Sequence, residues 1–285
     1  MVAIMRSKVI IVEGIPGSGK TTTAKHIEKI LKEKDIPVKL FLEGSLDQPA
    51  DYEYTGCLNE EQFEELVGKH PEDRELIARF TVKKGDNFFI SYMKLYDENK
   101  EKQSLIDDIA AYDVYELPLE KHLPVALEKW KEFSEKAANE EAVYIFECCF
   151  IQNPLTVMLG KHGAPSGQIR KHVLEIAETI KGLNPIVIYL HQDNIRETIE
   201  RVIPERPEAW YNGIIQYFTE QGYGKAQGLE GFDGFVKVLE KRRELELELI
   251  EELPFQSLVI DNSDRDWEKI YREIDEMITG KVTAV

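Results

Sequence analysis

The chain contains 285 residues, of which 42% are hydrophobic, and this is enough for one large α/β domain with a sizeable insertion. Its formal net charge of −17 makes it a poor general binder of nucleic-acid polymers and of anionic membranes, so we expect neither as a partner. No run of about 18 apolar residues is present, and a transmembrane helix is therefore not expected.

The cysteines and the N-terminus bear on location. Cys57, Cys148 and Cys149 form an odd set without the spacing of a metal site, and adjacent cysteines such as the last two rarely form a disulfide. Residues 1–8 contain an apolar run too short for a secretory signal. We expect a cytoplasmic protein with reduced thiols.

A phosphate-binding loop dominates the N-terminal part of the chain. Residues 14–21 read GIPGSGKT and fit the pattern G-x-x-x-x-G-K-[ST] at every fixed position. An apolar, β-branched run at residues 9–12 precedes the loop, and the apolar residues Ala24, Ile27 and Leu31 follow at helical spacing. A strand, a glycine-rich loop and a helix in this order predict a nucleotide site rather than an ordinary turn.

The residue types of the loop suit a polyphosphate. Glycines let the backbone come close to the phosphates, and the N-terminus of the following helix adds partial positive charge. Lys20 can reach the β- and γ-phosphates, and the Thr21 hydroxyl can bind Mg²⁺. The predicted ATP-binding residues of this stretch are Gly14, Ile15, Pro16, Gly17, Ser18, Gly19, Lys20, Thr21 and Thr22.

Two acids end predicted strands where ligands of parallel sheets bind. Residues 38–42 form the second strand, and Glu43 follows it as a candidate base for a substrate hydroxyl or as a solvated loop acid. Residues 142–147 form the third strand, and its terminal Glu147 is a candidate Mg²⁺ carboxylate, with pairing to a helix as the alternative. Gln152 and Asn153 follow in a loop that could touch substrate.

The remaining segments complete an α/β pattern. Residues 45–140 read as a mostly helical insertion, in which Phe89, Tyr92, Met93 and Tyr96 recur at helical spacing. Residues 185–190 and 257–261 are the fourth and fifth strands, and residues 191–256 between them are expected to supply a lid and a helical extension. We describe residues 1–285 as a single kinase-like domain carrying these additions.

Arg201 and Arg206 lie on and beyond a short predicted helix that Pro204 interrupts, so both could converge on one phosphate group. The alternative is that they pair with surface acids, namely Glu197, Glu200 or Glu205.

The layout resembles the nucleotide and nucleoside kinase group of P-loop proteins. The likeness rests on residues 14–22, on the acids Glu43 and Glu147, and on the fourth strand followed by Arg201 and Arg206, which is similar to the lid of thymidylate and deoxynucleoside kinases. Residues 259–262 resemble the adenine-side loop of those kinases, which implies a nucleotide contact at Asn262. The resemblance implies a three-layer α/β sandwich with a five-stranded parallel sheet in the order 2-3-1-4-5.

The chain departs from this group in two places. Cys148 stands where those kinases carry an arginine near the substrate, and residues 45–140 and 208–256 are longer than usual. Both departures concern the phosphoryl acceptor and leave the nucleotide site unaffected.

These observations favour an ATP- and Mg²⁺-dependent phosphotransferase. Lys20, Glu43, Arg201 and Arg206 are its predicted catalytic residues, and Thr21 and Glu147 its predicted metal ligands. The acceptor would be a nucleoside, a nucleotide or a similar alcohol, and a homodimer stays open. The alternatives are a P-loop NTPase that couples hydrolysis to a conformational change in a protein partner, and a nucleotide-binding module without turnover.

Overall fold

The computed structural model describes residues 7–282, and the side chains of residues 7–278. Most of the N-terminal apolar run lies outside the described residues. The chain divides into two compact units, one formed by Met1–Glu43 with Trp130–Val285 and the other by Gly44–Lys129. Among the described residues, no helix is both long enough and apolar enough to cross a membrane.

Within residues 7–282, eight strands and thirteen α-helices form the two units. The strands are β1 (Val9–Glu13), β2 (Val38–Phe41), β3 (Thr55–Leu58), β4 (Thr81–Lys84), β5 (Asn87–Ser91), β6 (Val143–Glu147), β7 (Ile186–His191) and β8 (Gln256–Asp261). The helices are α1 (Lys20–Lys32), α2 (Glu60–Lys69), α3 (Arg74–Arg79), α4 (Tyr92–Glu98), α5 (Gln103–Ala110), α6 (Leu119–Ala138), α7 (Gln152–Leu155), α8 (Ser166–Ile180), α9 (Ile195–Val202), α10 (Glu208–Thr219), α11 (Gly222–Ala226), α12 (Gly231–Glu251) and α13 (Trp267–Val282). A π-helical turn, Thr156–Lys161, follows α7.

The larger unit contains a parallel five-stranded sheet in the order β2-β6-β1-β7-β8. Counted along the chain within this sheet, the order is 2-3-1-4-5. It confirms the predicted α/β sandwich with a parallel sheet. The first strand lies at the centre of the sheet, so the loop that follows it opens at the carboxyl ends of the neighbouring strands β6 and β7.

Helices cover both faces of this sheet. Ile10 and Val12 of β1 pack on one face with Ile27 of α1 and Ile274 of α13. On the other face, Trp130 and Phe133 of α6 contact Phe146 of β6 edge-to-face. Both faces are apolar because a parallel strand with helices on each side is buried on both faces. The result is a three-layer sandwich.

The smaller unit contains an antiparallel sheet in the order β3-β5-β4, together with helices α2 to α5. Residues 45–140 are mostly helical as expected, since helices α2 to α6 contain far more of them than the three short strands do, but the antiparallel sheet was not predicted. Phe89 belongs to β5, while Tyr92 begins α4, so their helical spacing was accidental. Gly85, with φ 55°, turns the chain between β4 and β5, and strands of four or five residues give a weak pattern in the sequence.

The predicted lid and extension at residues 191–256 contain α9, α10, α11 and α12. Phe218 of α10 packs with Phe235 and Leu239 of α12 and with Ile199 of α9 in one apolar cluster. The description of residues 1–285 as one kinase-like domain stays a prediction. The two compact units are defined by contacts within the fold, and these contacts do not test whether the units act as one domain.

Candidate nucleotide-binding site

The loop between β1 and α1 adopts a conformation that glycine favours. Gly14, Gly17 and Gly19 have φ values of 142°, 81° and 98°. Helix α1 begins at Lys20, directly after Gly19, and no side chain among the described residues caps its N-terminus. Its first turn also lacks an acidic residue, so the partial positive charge of the helix end is left for an anion.

Two of these glycines are also places of close approach. A Cβ atom built on Gly17 would lie 2.6 Å from a methyl group of Val202 on α9. A Cβ atom on Gly19 would lie 2.2 Å from the indole of Trp267 at the start of α13. The loop is therefore held between two helices that follow other strands of the sheet.

The predicted metal ligands meet at the end of β6. The Thr21 hydroxyl donates to Oε1 of Glu147 over 2.7 Å. Glu147 is 3% exposed, and its Oε2 accepts the backbone N–H of Glu43 over 3.3 Å. A hydroxyl and a carboxylate in contact beside the loop are an oxygen pair of the kind that binds Mg²⁺.

Lys20 is buried, and its ammonium group donates to the carbonyl oxygen of Ile15 within the loop. A cavity of about 820 Å³ opens over the loop, and Lys20 lines it. Predicted residues on its wall include Pro16, Gly17, Gly19, Lys20, Thr21, Thr22, Glu43, Glu147, Arg201 and Arg206. The structure thus brings the predicted phosphate, metal, base and lid residues to one cavity.

The predicted lid arginines reach this cavity from α9 and from the segment that follows it. Arg201 contacts Gln192 with one terminal nitrogen at 3.5 Å, and its buried Nε has no hydrogen-bond partner within residues 7–282. Arg206 lies over the ring of Trp210, 5.4 Å from its centroid. In the described part of the chain neither arginine forms an ion pair with a carboxylate, so the surface pairing considered for them is absent from this structure.

Asn262 lies elsewhere. It is 1% exposed, its side-chain amide donates to the backbone carbonyl oxygen of Ser18 over 2.6 Å, and its backbone carbonyl accepts from the Gln192 side chain. Its hydrogen bond to Ser18 holds the loop from the side that does not face the cavity. The family resemblance implies that Asn262 contacts adenine. That contact stays a prediction, because Asn262 does not line the cavity.

A polar chain runs from the cavity wall into the interior. Gln152 donates to Oε1 of Glu43 over 3.1 Å and accepts from Arg242 over 3.3 Å. Nε of Arg242 donates to Glu246 over 2.6 Å, and the Tyr189 hydroxyl donates to the second oxygen of Glu246. Arg242 and Glu246 are both buried, and Arg242 also lines the cavity.

Glu13 ends β1 just before the loop and is fully buried. Its carboxylate accepts the backbone N–H groups of Phe150, Ile151 and Gln152, which fixes the segment after β6. Burial, with a smaller contribution from the charge of Glu246, raises the pKa of Glu13 to about 7, against the N–H groups of Ile151 and Gln152 and the charge of Lys20, which favour the charged form.

The opposite wall of the cavity is apolar and comes mainly from α10. Trp210, Ile214 and Tyr217 lie one helical turn apart, and Gly213 between them leaves space. The Tyr217 hydroxyl donates to the carbonyl oxygen of Thr156, 3.4 Å away. The cavity therefore offers a polar side at the strand ends and an aromatic side at α10.

Sequence reasoning missed several residues of this cavity, namely Arg242, Arg265, Trp210, Tyr217 and Thr156. For Arg242 a signal existed. Arg242 and Glu246 fall on the buried stripe of α12 that contains Phe235, Leu239 and Leu249, and a charged pair on such a stripe is unusual. For Trp210 and Tyr217 no signal existed, because aromatic residues at helical spacing usually belong to a core.

ATP and Mg²⁺ fit the residues present. The loop has the positive-φ glycines and the uncapped helix start that phosphates require, and the buried Nε of Arg201 is a donor without a partner. Thr21 and Glu147 would hold the metal ion, and Lys20 with the loop N–H groups would hold the phosphates.

Comparisons with known proteins give a family match over the loop region and only low sequence identity to solved structures over nearly the whole chain. Residues 8–69 match the family model described as chromatin associated protein KTI12. A solved structure described as the crystal structure of APE1195 is 13% identical, with a TM-score of 0.41, and covers 98% of this chain and 99% of that chain. Thymidylate kinase from Candida albicans is 14% identical, with a TM-score of 0.44, and covers 96% of this chain and 92% of that chain. Among curated proteins, none matches the chain.

The family match covers the loop and its surroundings only, so it describes that part of the chain. The parallel sheet, its strand order and the loop at the end of its central strand carry the wider conclusion. The chain has the P-loop NTPase fold.

Proposed function

We propose that the protein is a phosphotransferase that moves the terminal phosphoryl group of ATP, with Mg²⁺, to a hydroxyl group of a small molecule. One observation carries the proposal, namely that a single cavity is lined by Lys20 and Thr21 of the loop, by Glu43 and Glu147 at strand ends, and by the two arginines after β7.

The shape of the cavity supports transfer to an acceptor. At about 820 Å³ it has the size of a small-molecule site, and it extends from the loop to the aromatic side of α10. Trp210, Ile214 and Tyr217 would contact the apolar part of an acceptor. A site that only hydrolyses ATP has no need of such a wall.

Each side chain has a role in this proposal. The Glu43 carboxylate, exposed in the cavity and steadied by Gln152, accepts the proton of the acceptor hydroxyl. Lys20 and the arginines stabilise charge on the transferring group, and Glu147 with Thr21 holds the metal ion. When bound, Mg²⁺ supplies positive charge at the phosphate oxygens. Catalysis would come from positioning and charge, because phosphoryl transfer needs little covalent help.

The proposed acceptor is a nucleoside, a nucleotide or a similar alcohol, as expected from the sequence. We further propose that neither a nucleic-acid polymer nor a membrane is a partner, and that the protein works in the cytoplasm.

A screen with γ-³²P-labelled ATP tests the proposal. Transfer of label to one class of alcohol, dependent on Mg²⁺ and lost in Lys20→Ala, supports it. Release of labelled phosphate that no acceptor diverts would contradict it. Lys25→Ala is the matched control, since Lys25 lies on the same helix and is exposed outside the cavity.

A second candidate is an NTPase that couples hydrolysis to a change in a protein partner. The match of residues 8–69 to a family named for a chromatin-associated protein favours it. Phosphate release at full rate without an acceptor, increased by an added protein fraction, would support this candidate over the kinase.

A further inference from the structure

We propose that Arg242 binds an anionic group of the phosphoryl acceptor, so that the acceptor is a phosphate monoester or a carboxylate and not a neutral alcohol. The inference rests on the proposed function, because it names the substrate class of that same cavity.

Arg242 combines deep burial with access to the cavity. It is 2% exposed, yet it forms part of the cavity wall. Its Nε donates to Glu246, and Nη2 donates to Gln152. Within the described residues, Nη1 makes no hydrogen bond and is not among the polar atoms sealed from solvent. A guanidinium group has five N–H donors, so unused donors remain at the cavity surface.

Neighbouring groups fix the direction of this guanidinium. Oε1 of Glu246 takes the Nε–H, and its other oxygen is occupied by the Tyr189 hydroxyl. Because both oxygens of Glu246 are occupied and Nη2 already donates one N–H to Gln152, the edge formed by Nη1 and the second N–H of Nη2 is what remains for a ligand. That edge is flat, always charged and suited to two oxygens of one anion.

Gln152 relates Arg242 to the proposed base. An arginine only donates and a carboxylate only accepts, so the amide between them has a single satisfactory orientation, oxygen to Arg242 and nitrogen to Glu43. One amide group therefore separates the two sites. A small acceptor whose hydroxyl lies at Glu43 can place an anionic group at Arg242.

The competing explanation is that Arg242 serves the fold alone. A buried Arg–Glu pair contributes little net stability compared with apolar residues, so packing by itself gives weak reason for it. The position after Glu147 supplies no cation either, because it is occupied by Cys148, which is buried and whose side chain cannot carry a positive charge. Arg242 is therefore the cation that hydrogen-bonds Gln152 at the polar side of the cavity, in addition to the lysine and lid arginines proposed to bind the transferring phosphate.

The test is a calorimetric titration with three probes, phenyl phosphate, benzoate and benzyl alcohol. The protein is loaded with a non-hydrolysable ATP analogue and Mg²⁺, so that the loop is filled, and the titrations are repeated without the analogue. The phenyl ring can contact the aromatic side of the cavity. The phosphate and carboxylate arms separate the two anion sources.

Removing Arg242 alone would leave Glu246 buried without its cation, so the variant used is Arg242→Gln with Glu246→Gln, which removes both charges and keeps a polar amide at each position. We expect the anionic probes to bind more tightly than benzyl alcohol. We expect the double variant to lose about 10- to 100-fold in affinity for them, as charge-assisted hydrogen bonds of this kind predict. Affinity for benzyl alcohol should stay unchanged.

Arg196→Gln is the control, since Arg196 is exposed and pairs with Asp233 outside the cavity. Equal affinity of the wild type and the double variant for both anions overturns the inference. Failure of the proposed function is a separate result, recorded as an absence of phosphoryl transfer in the labelled-ATP screen, and it leaves the titration readable.

Discussion

The two walls of the cavity are built in different ways. The loop wall comes from one short stretch, residues 16–22, of which all but Ser18 line the cavity, together with Glu147 from the adjacent strand. The second wall contains the apolar side formed by α10 together with polar residues of α7, α9 and α12, and these helices lie far apart in the chain. Local backbone geometry creates the first wall, and tertiary packing creates the second. Variants of the first should therefore act on the nucleotide, and variants of the second on the acceptor or on the transfer step.

The largest effect is expected at Lys20. Lys20→Ala removes the cation of the loop wall, and activity should fall by at least about 10³-fold because the transferring phosphoryl group loses charge stabilisation. The melting temperature should change little, since in the described part of the chain the ammonium group forms a hydrogen bond only with the Ile15 carbonyl. Steady-state kinetics and calorimetry measure both. Near wild-type turnover would contradict the assignment of the loop wall as the nucleotide site.

Glu43 lies where the walls meet, and Glu43→Gln keeps the shape while removing the base. We expect kcat to fall by about 10²- to 10⁴-fold with ATP affinity unchanged. Glu33→Gln, on an exposed residue outside the cavity, is the control. A loss confined to ATP binding would assign Glu43 to the nucleotide side.

For the arginines after β7, we expect Arg201→Ala or Arg206→Ala to lower kcat by at least about 100-fold, since an arginine at a transferring phosphate is worth up to about 10⁵-fold. Neither forms an ion pair within the described residues, so the change in melting temperature should be small. Arg196→Ala, on the same helix as Arg201, should leave kcat unaltered. Wild-type kcat in both single variants would remove the lid from the mechanism.

The smallest effect concerns Glu13, which fixes the segment after β6 and is not part of the cavity lining. Its pKa in the fold is raised to about 7, whereas the unfolded chain ionises near 4.5, so the folded state retains a proton that the unfolded state loses. The contribution of Glu13 to the free energy of unfolding should therefore be largest below pH 4.5. It should fall by about 3 kcal/mol in total as the pH rises from there through 7.

Glu13→Gln should remove that contribution. Chemical denaturation of the wild type and the variant between pH 5.5 and 8 measures the difference, which should shrink as the pH rises. A constant difference across this range would show that Glu13 does not titrate there.

The same contrast explains what the sequence could predict. The loop, the five strands of the parallel sheet and the acids at their ends follow from patterns a few residues long, and the strand order agrees with the prediction. The antiparallel sheet of the smaller unit was missed because its strands are short and aromatic residues in it repeat at helical spacing by chance. Arg242 reaches the cavity only through the packing of α12, which no local pattern encodes.

The contact between Gly19 and Trp267 gives the molecule an optical reporter. The indole lies against the loop backbone, and Trp210 lies on the cavity wall, while Trp130 is buried among Phe133, Phe146 and Phe150. These are all three tryptophans of the chain. Emission from Trp267 and Trp210 should therefore respond to a ligand in the cavity, while emission from Trp130 should stay constant and serve as an internal reference. Ligand binding should be measurable by intrinsic fluorescence without a label.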